Sequence, residues 1–419
     1  MIYIVSVFFM LMPTEAFHYI DRTIYGEWPG KPGDKLTEAL NLLAIAASVV
    51  LFWWGTRRAR HSYFNRAIPL AVAGLLVTSV LWSVTPSTTI TRSVAYLFVV
   101  VGAIGIVELF ESYQVMRLTA LIGGFLAAIS LILPDGVDWI EGALRGPFPG
   151  KNQLGAGMVI GVIGCLHSIR VGGRRRFFYI SLALLCTTVA FLSKSATSLL
   201  TILALFTLNI IGTFYIKGGI MRIVSICLGI FAVGALILLM INIESLYSIL
   251  GKDPTLTGRT DFWPDVIDSI YQRPLLGWGF AAFWMESNPA AMAIFSRAGF
   301  FINEAHNGIL QLLLDIGVVG TAFFLFLWIR NAIMALKCIN GPAPAIGVSS
   351  LAFLIGILLM GITEQVLTVA DGFTAQFFLL GFMCEKQLWL ARRTRSALAV
   401  GLATLHVGEF AAPRGADAV

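Results

Sequence analysis

The chain has 419 residues, of which 58% are hydrophobic and only 12% charged, about half the charged share of an ordinary soluble domain. That balance excludes a soluble globular protein and describes a polytopic membrane protein, because apolar runs long enough to cross a bilayer recur along it. The formal net charge of +6 does not mark a nucleic-acid binder, since the basic residues fall in short clusters between apolar runs, as the orientation of membrane helices requires.

A window of roughly 20 residues predicts about twelve membrane helices. They fall near residues 2–13, 37–55, 67–83, 93–110, 115–133, 153–169, 177–193, 196–216, 220–242, 307–329, 343–362 and 372–390. The N-terminal stretch has no basic region before its apolar part, so it reads as a first helix rather than a cleaved signal. The turns after the even-numbered spans carry the basic clusters, among them "RRARHSYFNR", "RVGGRRR" and "KQLWLARRTR". By the inside-positive bias these turns face the cytoplasm, both termini are cytoplasmic, and the intervening turns face outward. The outer turns hold "SVTPSTTITR", "PDGVDWIEGALRGPFPGK", "SKS" and one long segment from about residue 243 to 305. Residues 1–395 thus form a transmembrane helical domain, and the alanine-rich tail 396–419 is expected to be disordered. The five cysteines, Cys165, Cys186, Cys227, Cys338 and Cys384, contain no CxxC pair and indicate neither a disulfide framework nor a zinc site.

The long outer segment is the one uneconomical connection, and loops of that length tend to be functional or disordered. Within "TGRTDFWPDVIDSIYQRPLLGWG", Trp263, Val266, Ile267, Ile270 and Tyr271 follow helical spacing, which predicts an amphipathic helix on the membrane surface. Thr260 or Asp261 serves as its cap, and Pro274, Gly277 and Gly279 end it and turn the chain back. This element reads as a lid on the outer face.

Next comes "NEAHNGILQLLLDIGVVG". A helix beginning near Ala305 places Asn307, Gln311 and Asp315 at i, i+4 and i+8, a polar stripe descending from the outer surface with His306 at its top and Glu304 beside it. Such a stripe turns away from lipid. Gln311 and Asp315 read best as hydrogen-bonding glue between helices, whereas a histidine at the outer surface under a folded loop is placed to accept a proton. Cationic residues complete the constellation on the outer side: Arg92, Arg145, Lys151, Lys194, Arg259, Arg273 and Arg297. Positive charge kept there against the inside-positive bias points to a bound anion such as phosphate for Arg259, Lys194, Lys151, Arg145 and Arg92. Arg273 and Arg297 read instead as interfacial snorkelling or ion-paired groups. No Walker loop, HExxH, GxSxG or metal-holding DxD is present, which disfavours a nucleotide-driven pump and predicts transfer chemistry without a metal or other cofactor.

In this order the motifs are specific: "LSKSATSLL", then "GRTDFW" with "RPLLGWGFAAF", then "HNGILQLLLDIGVVG", in which His306 and Asn307 are followed after nine residues by Gly317, an H-N-x9-G signature. With "LWSVTPSTTITRS" and "GPFPGKNQLG" earlier in the chain, the sequence resembles the O-antigen ligase and Wzy-type polysaccharide polymerase superfamily, most closely its exopolysaccharide-polymerase branch. The resemblance implies an all-α polytopic membrane fold, similar to GT-C glycosyltransferases, with one long periplasmic loop carrying an amphipathic helix. It implies a metal-independent glycosyltransferase of the bacterial inner membrane whose site faces the periplasm. Its donor would be a glycan on undecaprenyl diphosphate, its acceptor another glycan or a lipid core, and a chain-length regulator and a flippase would belong to the same pathway. Position by position, Arg259 matches the loop arginine that binds diphosphate and His306 the catalytic histidine. Lys194 stands where many members have arginine in an S-x-S-R pattern, which keeps the charge and loses the bidentate fork. Direct displacement with inversion is expected, with a histidine base and cations around the departing diphosphate. A flippase or transporter is the main competing reading, but it would gather its polar groups at the midplane rather than at one surface; a non-catalytic assembly scaffold is the other.

Overall fold

The computed structural model describes Ser6 and residues 35–58, 67–133, 137–138, 142–241, 259–299 and 301–410. The first expected span, most of the long loop before Arg259 and the last nine residues lie outside the described residues. The helices in chain order are α1 (Lys35–Arg58), α2 (Ala67–Thr78, prolonged by a 3-10 turn Ser79–Trp82), α3 (Pro86–Leu109), α4 (Ser112–Ile132), α5 (Lys151–Val171), α6 (Arg176–Leu192), α7 (Ala196–Lys217), α8 (Gly219–Ile241), α9 (Arg259–Gln272), α10 (Pro289–Ala298), α11 (Gly308–Ile339), α12 (Pro344–Met360) and α13 (Gly372–Phe410). Between α4 and α5 two short strands, β1 (Val137–Asp138) and β2 (Ala143–Leu144), pair antiparallel with Val137 opposite Leu144.

Six described helices are long and apolar enough to cross a membrane: α3, α4, α5, α6 with its leading 3-10 turn, α7 and α11. Three shorter apolar helices, Leu70–Trp82, Gly219–Phe231 and Pro344–Met360, stand beside them. An all-α polytopic membrane protein follows, with six spans by length and composition among the described residues against an expected count of about twelve, of which the first lies outside them. The structure also carries α13 on to Phe410, so helix continues into the tail that the sequence reads as disordered.

Local chemistry explains the helix starts. Pro86 sits in the first turn of α3, where its missing N–H costs nothing. Glu111 and Gln114 close a capping box on α4, and the Asp371 carboxylate accepts from Thr374 N at 2.8 Å to start α13. At one end α3 and α13 are joined by Lys386, whose ammonium donates to the carbonyls of Val107 and Phe110, and α7 meets the end of α11 through Tyr215 and Asn340. The opposite end holds the starts of α5, α7, α11 and α13. There Asn152 meets Glu364 and Thr197 meets Thr363.

Lipid supplies no hydrophobic drive between helices, so close approach and aromatic packing hold the bundle together. Gly123 of α4 lies against Gly161 of α5, where a methyl group would overlap the facing backbone. Tyr96 of α3 is fully buried and makes edge-to-face contacts with Phe280, Phe324 and Phe378 at 5.7, 6.2 and 6.1 Å between centroids. One ring therefore ties α3 to α11, to α13 and to the segment that follows α9.

Residues 259–305 form a cap with its own apolar centre, built from Phe262, Val266, Trp278, Phe283, Trp284 and Phe295 with Leu314 of α11. The amphipathic helix is present as α9, but its buried face is rotated from the expected one. Phe262, Val266 and Ser269 are buried and Trp263 and Ile270 pack at the edge, while Ile267 is 41% and Tyr271 75% exposed. The cause is the cap itself: Phe262 widens the apolar stripe toward Trp284, and the Trp263 indole N–H donates to the carbonyl of Ala305 at 3.0 Å. The helix docks on protein rather than lying free on the bilayer surface.

Candidate functional site

His306 sits in the turn that leads into α11, at the end of the bundle under the cap. Its φ of +48° is left-handed, a conformation that a histidine holds only when neighbours fix it. They do so on both sides. Ala305 N donates to Gln311 Oε1 at 2.9 Å, the Asn307 side chain caps α11 by accepting from Ile309 N and Leu310 N, and Gly308 N donates to the carbonyl of Gly361 at 2.8 Å. The helix thus starts at Gly308 with Asn307 as its cap, three residues later than the sequence reading placed it. This shift frees His306 from the helix and lets the turn present its ring.

The His306 ring meets two carboxylates. Nδ1 lies 2.9 Å from Glu304 Oε1, a close contact that is not an aligned hydrogen bond. Glu304, Glu364 and His306 bring one carboxylate oxygen each and a ring nitrogen within 4.8 Å of one another. Asn152, in the first turn of α5, donates to Glu364 Oε1 at 2.8 Å and holds that carboxylate in place. This trio is the group among the described residues that could hold a divalent cation. Beside it opens a shallow cleft of about 90 Å³, lined by the polar Asn152, Gln153, Glu304, Glu364, Gln365 and Asp371 and by apolar residues that include Ile160, Met360 and Phe373.

The remaining polar stripe is structural. Gln311 accepts from the Trp284 indole N–H at 3.0 Å as well as from Ala305 N, and donates to Asp315 Oδ1 at 3.0 Å. Gln311 and Asp315 are both buried, and together they fasten the cap to α11, which is the glue reading. Below them α11 breaks. Gly317 has φ +62° and ψ −169°, and the segment Pro274–Gly279 lies in the gap, where it satisfies the backbone groups freed by the break. Trp278 N and Gly279 N donate to the carbonyls of Leu314 and Asp315, while Val318 N and Val319 N donate to those of Pro274 and Leu275. The last residue of the H-N-x9-G signature is therefore a glycine for a physical reason: a Cβ there would overlap the carbonyl of Leu275.

The cationic residues divide. Arg297 pairs with Asp265 at 2.9 Å, and Arg273 stacks over the Trp278 ring at 4.4 Å, so both have the structural roles read from the sequence, with Asp265 in place of the expected partners. Arg92 is exposed on α3 and is not part of the cleft lining, so the structure does not bring it to His306. Arg145 and Lys151 flank Phe148 and Asn152, which line the cleft, and Arg145 Nε is buried without a hydrogen-bond partner among the described residues. Lys194, also left-handed at φ +54°, lies next to Gly142 of the β1–β2 hairpin, and its turn reaches the cleft loop through the 2.7 Å contact of Thr197 and Thr363 hydroxyls. Arg259 opens α9, one helical turn before Trp263, whose indole is bonded to the residue preceding His306. Backbone placement thus puts Arg259 at the His306 end of the molecule.

Glu364 and Asn152 escaped the sequence reading. Glu364 lies in the turn "GITEQVLTVAD" between α12 and α13, whose only signal is three polar residues in a row at the end of an apolar helix.

Residues 181–325 match the O-antigen ligase domain family, a stretch that includes Lys194, Arg259, His306 and Gly317. The chain is also 24% identical over 347 residues to the exopolysaccharide production protein ExoQ of Rhizobium meliloti (strain 1021), a match that covers 70% of this chain and 77% of that protein. The turn that presents His306 and the break at Gly317 thus lie in the stretch that matches the O-antigen ligase family, and the chain is a multi-pass membrane protein similar to that family and to an exopolysaccharide production protein.

Proposed function

We propose that the protein is a membrane glycosyltransferase that joins or transfers glycan units carried on undecaprenyl diphosphate, at the periplasmic face of the bacterial inner membrane, in exopolysaccharide or O-antigen synthesis. The observation that carries this reading is the strained His306 turn, with Glu304 at one ring nitrogen, opening on a cleft; outside the cleft lining, the same end of the bundle carries Arg145, Lys151, Lys194 and the backbone of Arg259.

In this reading the acceptor hydroxyl gives its proton to His306, and its oxygen attacks the anomeric carbon of the donor. The bond from that carbon to the diphosphate breaks, and the electron pair leaves with the diphosphate oxygen. Glu304 lies beside Nδ1, and the opposite nitrogen serves as the base. Arg259, Lys194, Lys151 and Arg145 neutralise the departing charge. Glu304 is engaged with the imidazole, so single displacement with inversion is the expected stereochemistry. Polymerisation is favoured by the exopolysaccharide production relative, and ligation to a lipid core by the O-antigen ligase domain.

The test is reconstitution in liposomes with a polyprenyl-diphosphate repeat unit. Chain growth from the donor alone selects polymerase, consumption only with added lipid-core acceptor selects ligase, and no turnover in either mixture defeats the enzyme reading. Chelation belongs to the same experiment, because Glu304, His306 and Glu364 could ligate a cation. Activity retained in EDTA supports a proton-handling group; activity lost and restored by Mg²⁺ makes the trio a metal centre instead.

A further inference from the structure

The cleft beside His306 has a charge that the donor's leaving group does not suit. Among the described residues its lining contains three carboxylates, Glu304, Glu364 and Asp371, two glutamines and one asparagine, and no lysine or arginine. A diphosphate placed there would face like charge at close range in a partly desolvated site. Sugar hydroxyls are the opposite case, since they donate to carboxylates and exchange hydrogen bonds with amides. The apolar lining residues Ile160, Met360 and Phe373 suit the C–H faces of a pyranose ring. Glu364 is held by Asn152 at 2.8 Å, and its carboxylate stands within 4.8 Å of a ring nitrogen of His306. Two adjacent hydroxyls on one sugar can reach both groups, one donating to the base and its neighbour to Glu364.

We propose that this cleft is the acceptor subsite and takes the terminal sugar of a neutral glycan, with a vicinal pair of hydroxyls shared between His306 and Glu364. This assignment rests on the glycosyltransferase reading and gives the site a direction. Acceptor sugar lies on the carboxylate side of His306, donor diphosphate on the side of Arg259. Glu364 binds and orients the acceptor, and Gln153 and Gln365 line its path; the proton still goes to His306.

The experiment uses the full chain in nanodiscs and two probes: inorganic pyrophosphate, and oligosaccharides freed by mild acid from the host's polyprenyl-linked glycans. Glu364→Gln keeps shape and removes charge, and Gln153→Ala shortens an exposed side chain of the cleft lining. Glu364→Gln should weaken oligosaccharide binding and raise the acceptor KM by about tenfold or more, the scale of one hydrogen bond to a charged group. Gln153→Ala should act in the same direction by less. Pyrophosphate binding and the donor KM should stay within about twofold of wild type in both, which also certifies folding. Normal oligosaccharide binding in both variants overturns the assignment, as does weakened pyrophosphate binding, or saturable Mn²⁺ binding that Glu364→Gln abolishes. A wild-type protein that binds the oligosaccharide but never consumes a lipid-diphosphate donor would leave the glycan subsite standing and defeat the transferase reading. Donor consumption with unaltered variants would do the reverse.

Discussion

At the scale of single residues, the left-handed backbone of His306 decides which variant tests it fairly. Alanine removes the imidazole and keeps an awkward φ of +48°, so loss of activity would mix chemistry with strain. Asparagine adopts that region readily, retains a polar side chain and cannot take up a proton as imidazole does. His306→Asn should therefore fold and extract like wild type and lose about 10²- to 10⁴-fold in turnover, the usual weight of a positioned base. Glu304→Gln should fall in the same direction by less, because it removes the charge beside Nδ1 and not the base. Initial rates with saturating donor measure both, and near-normal turnover in His306→Asn removes the imidazole from proton transfer. His306, Asn307 and Gly317 were legible because their spacing is a signature. Glu364 was not, because 57 residues and two whole helices, α11 and α12, separate it from His306, and only folding brings an isolated polar turn against another.

At the scale of elements, the sequence shows helices better than it shows where they break. The spans at residues 153–169, 177–193 and 196–216 coincide with α5, α6 and α7 because long apolar runs between basic or glycine-rich turns have few alternatives in a bilayer. α11 reads as continuous for the same reason, since a glycine inside an apolar helix is common and breaks nothing by itself. The break at Gly317 needs a partner, and that partner is the segment "RPLLGWG", whose backbone fills the gap. Gly277, at φ +68°, faces the carbonyl of Leu314 from the other side. Two glycines thus make a two-sided joint between cap and bundle, and the joint stands directly below the Gln311 bond that positions Ala305 and His306. Gly317→Ala should cost roughly 1–3 kcal/mol from backbone strain alone, with the overlap at Leu275 adding to it. A lower melting temperature in detergent and a loss of turnover should appear together. Gly74→Ala, where a methyl group meets open space, serves as the control and should leave both unchanged. Equal behaviour of the two variants would show that the joint does not set the site.

At the scale of the whole molecule, the two ends differ in charge and in construction. One carries Arg57, Arg58, Arg174, Arg175 and Lys217 on short turns and helix ends and Arg392 and Arg393 on the exposed later part of α13; the other carries the cap, the cleft and His306. The sequence anticipated this polarity from the alternation of basic turns, a signal that survives without knowledge of packing because it depends on topology alone. The proposed reaction requires the cleft end to be periplasmic, where the finished lipid-linked donor is presented. Single cysteines can decide this once the exposed Cys227 is replaced by serine; the other four native cysteines are buried. Gln153→Cys and Asn303→Cys are exposed at the cleft end, and Arg175→Cys at the other. A membrane-impermeant maleimide added to spheroplasts should label the first two within minutes and Arg175→Cys only after the membrane is opened. The inverse pattern would put His306 and its carboxylates in the cytoplasm, away from the lipid-linked donor, and the transferase mechanism would then have no substrate to act on.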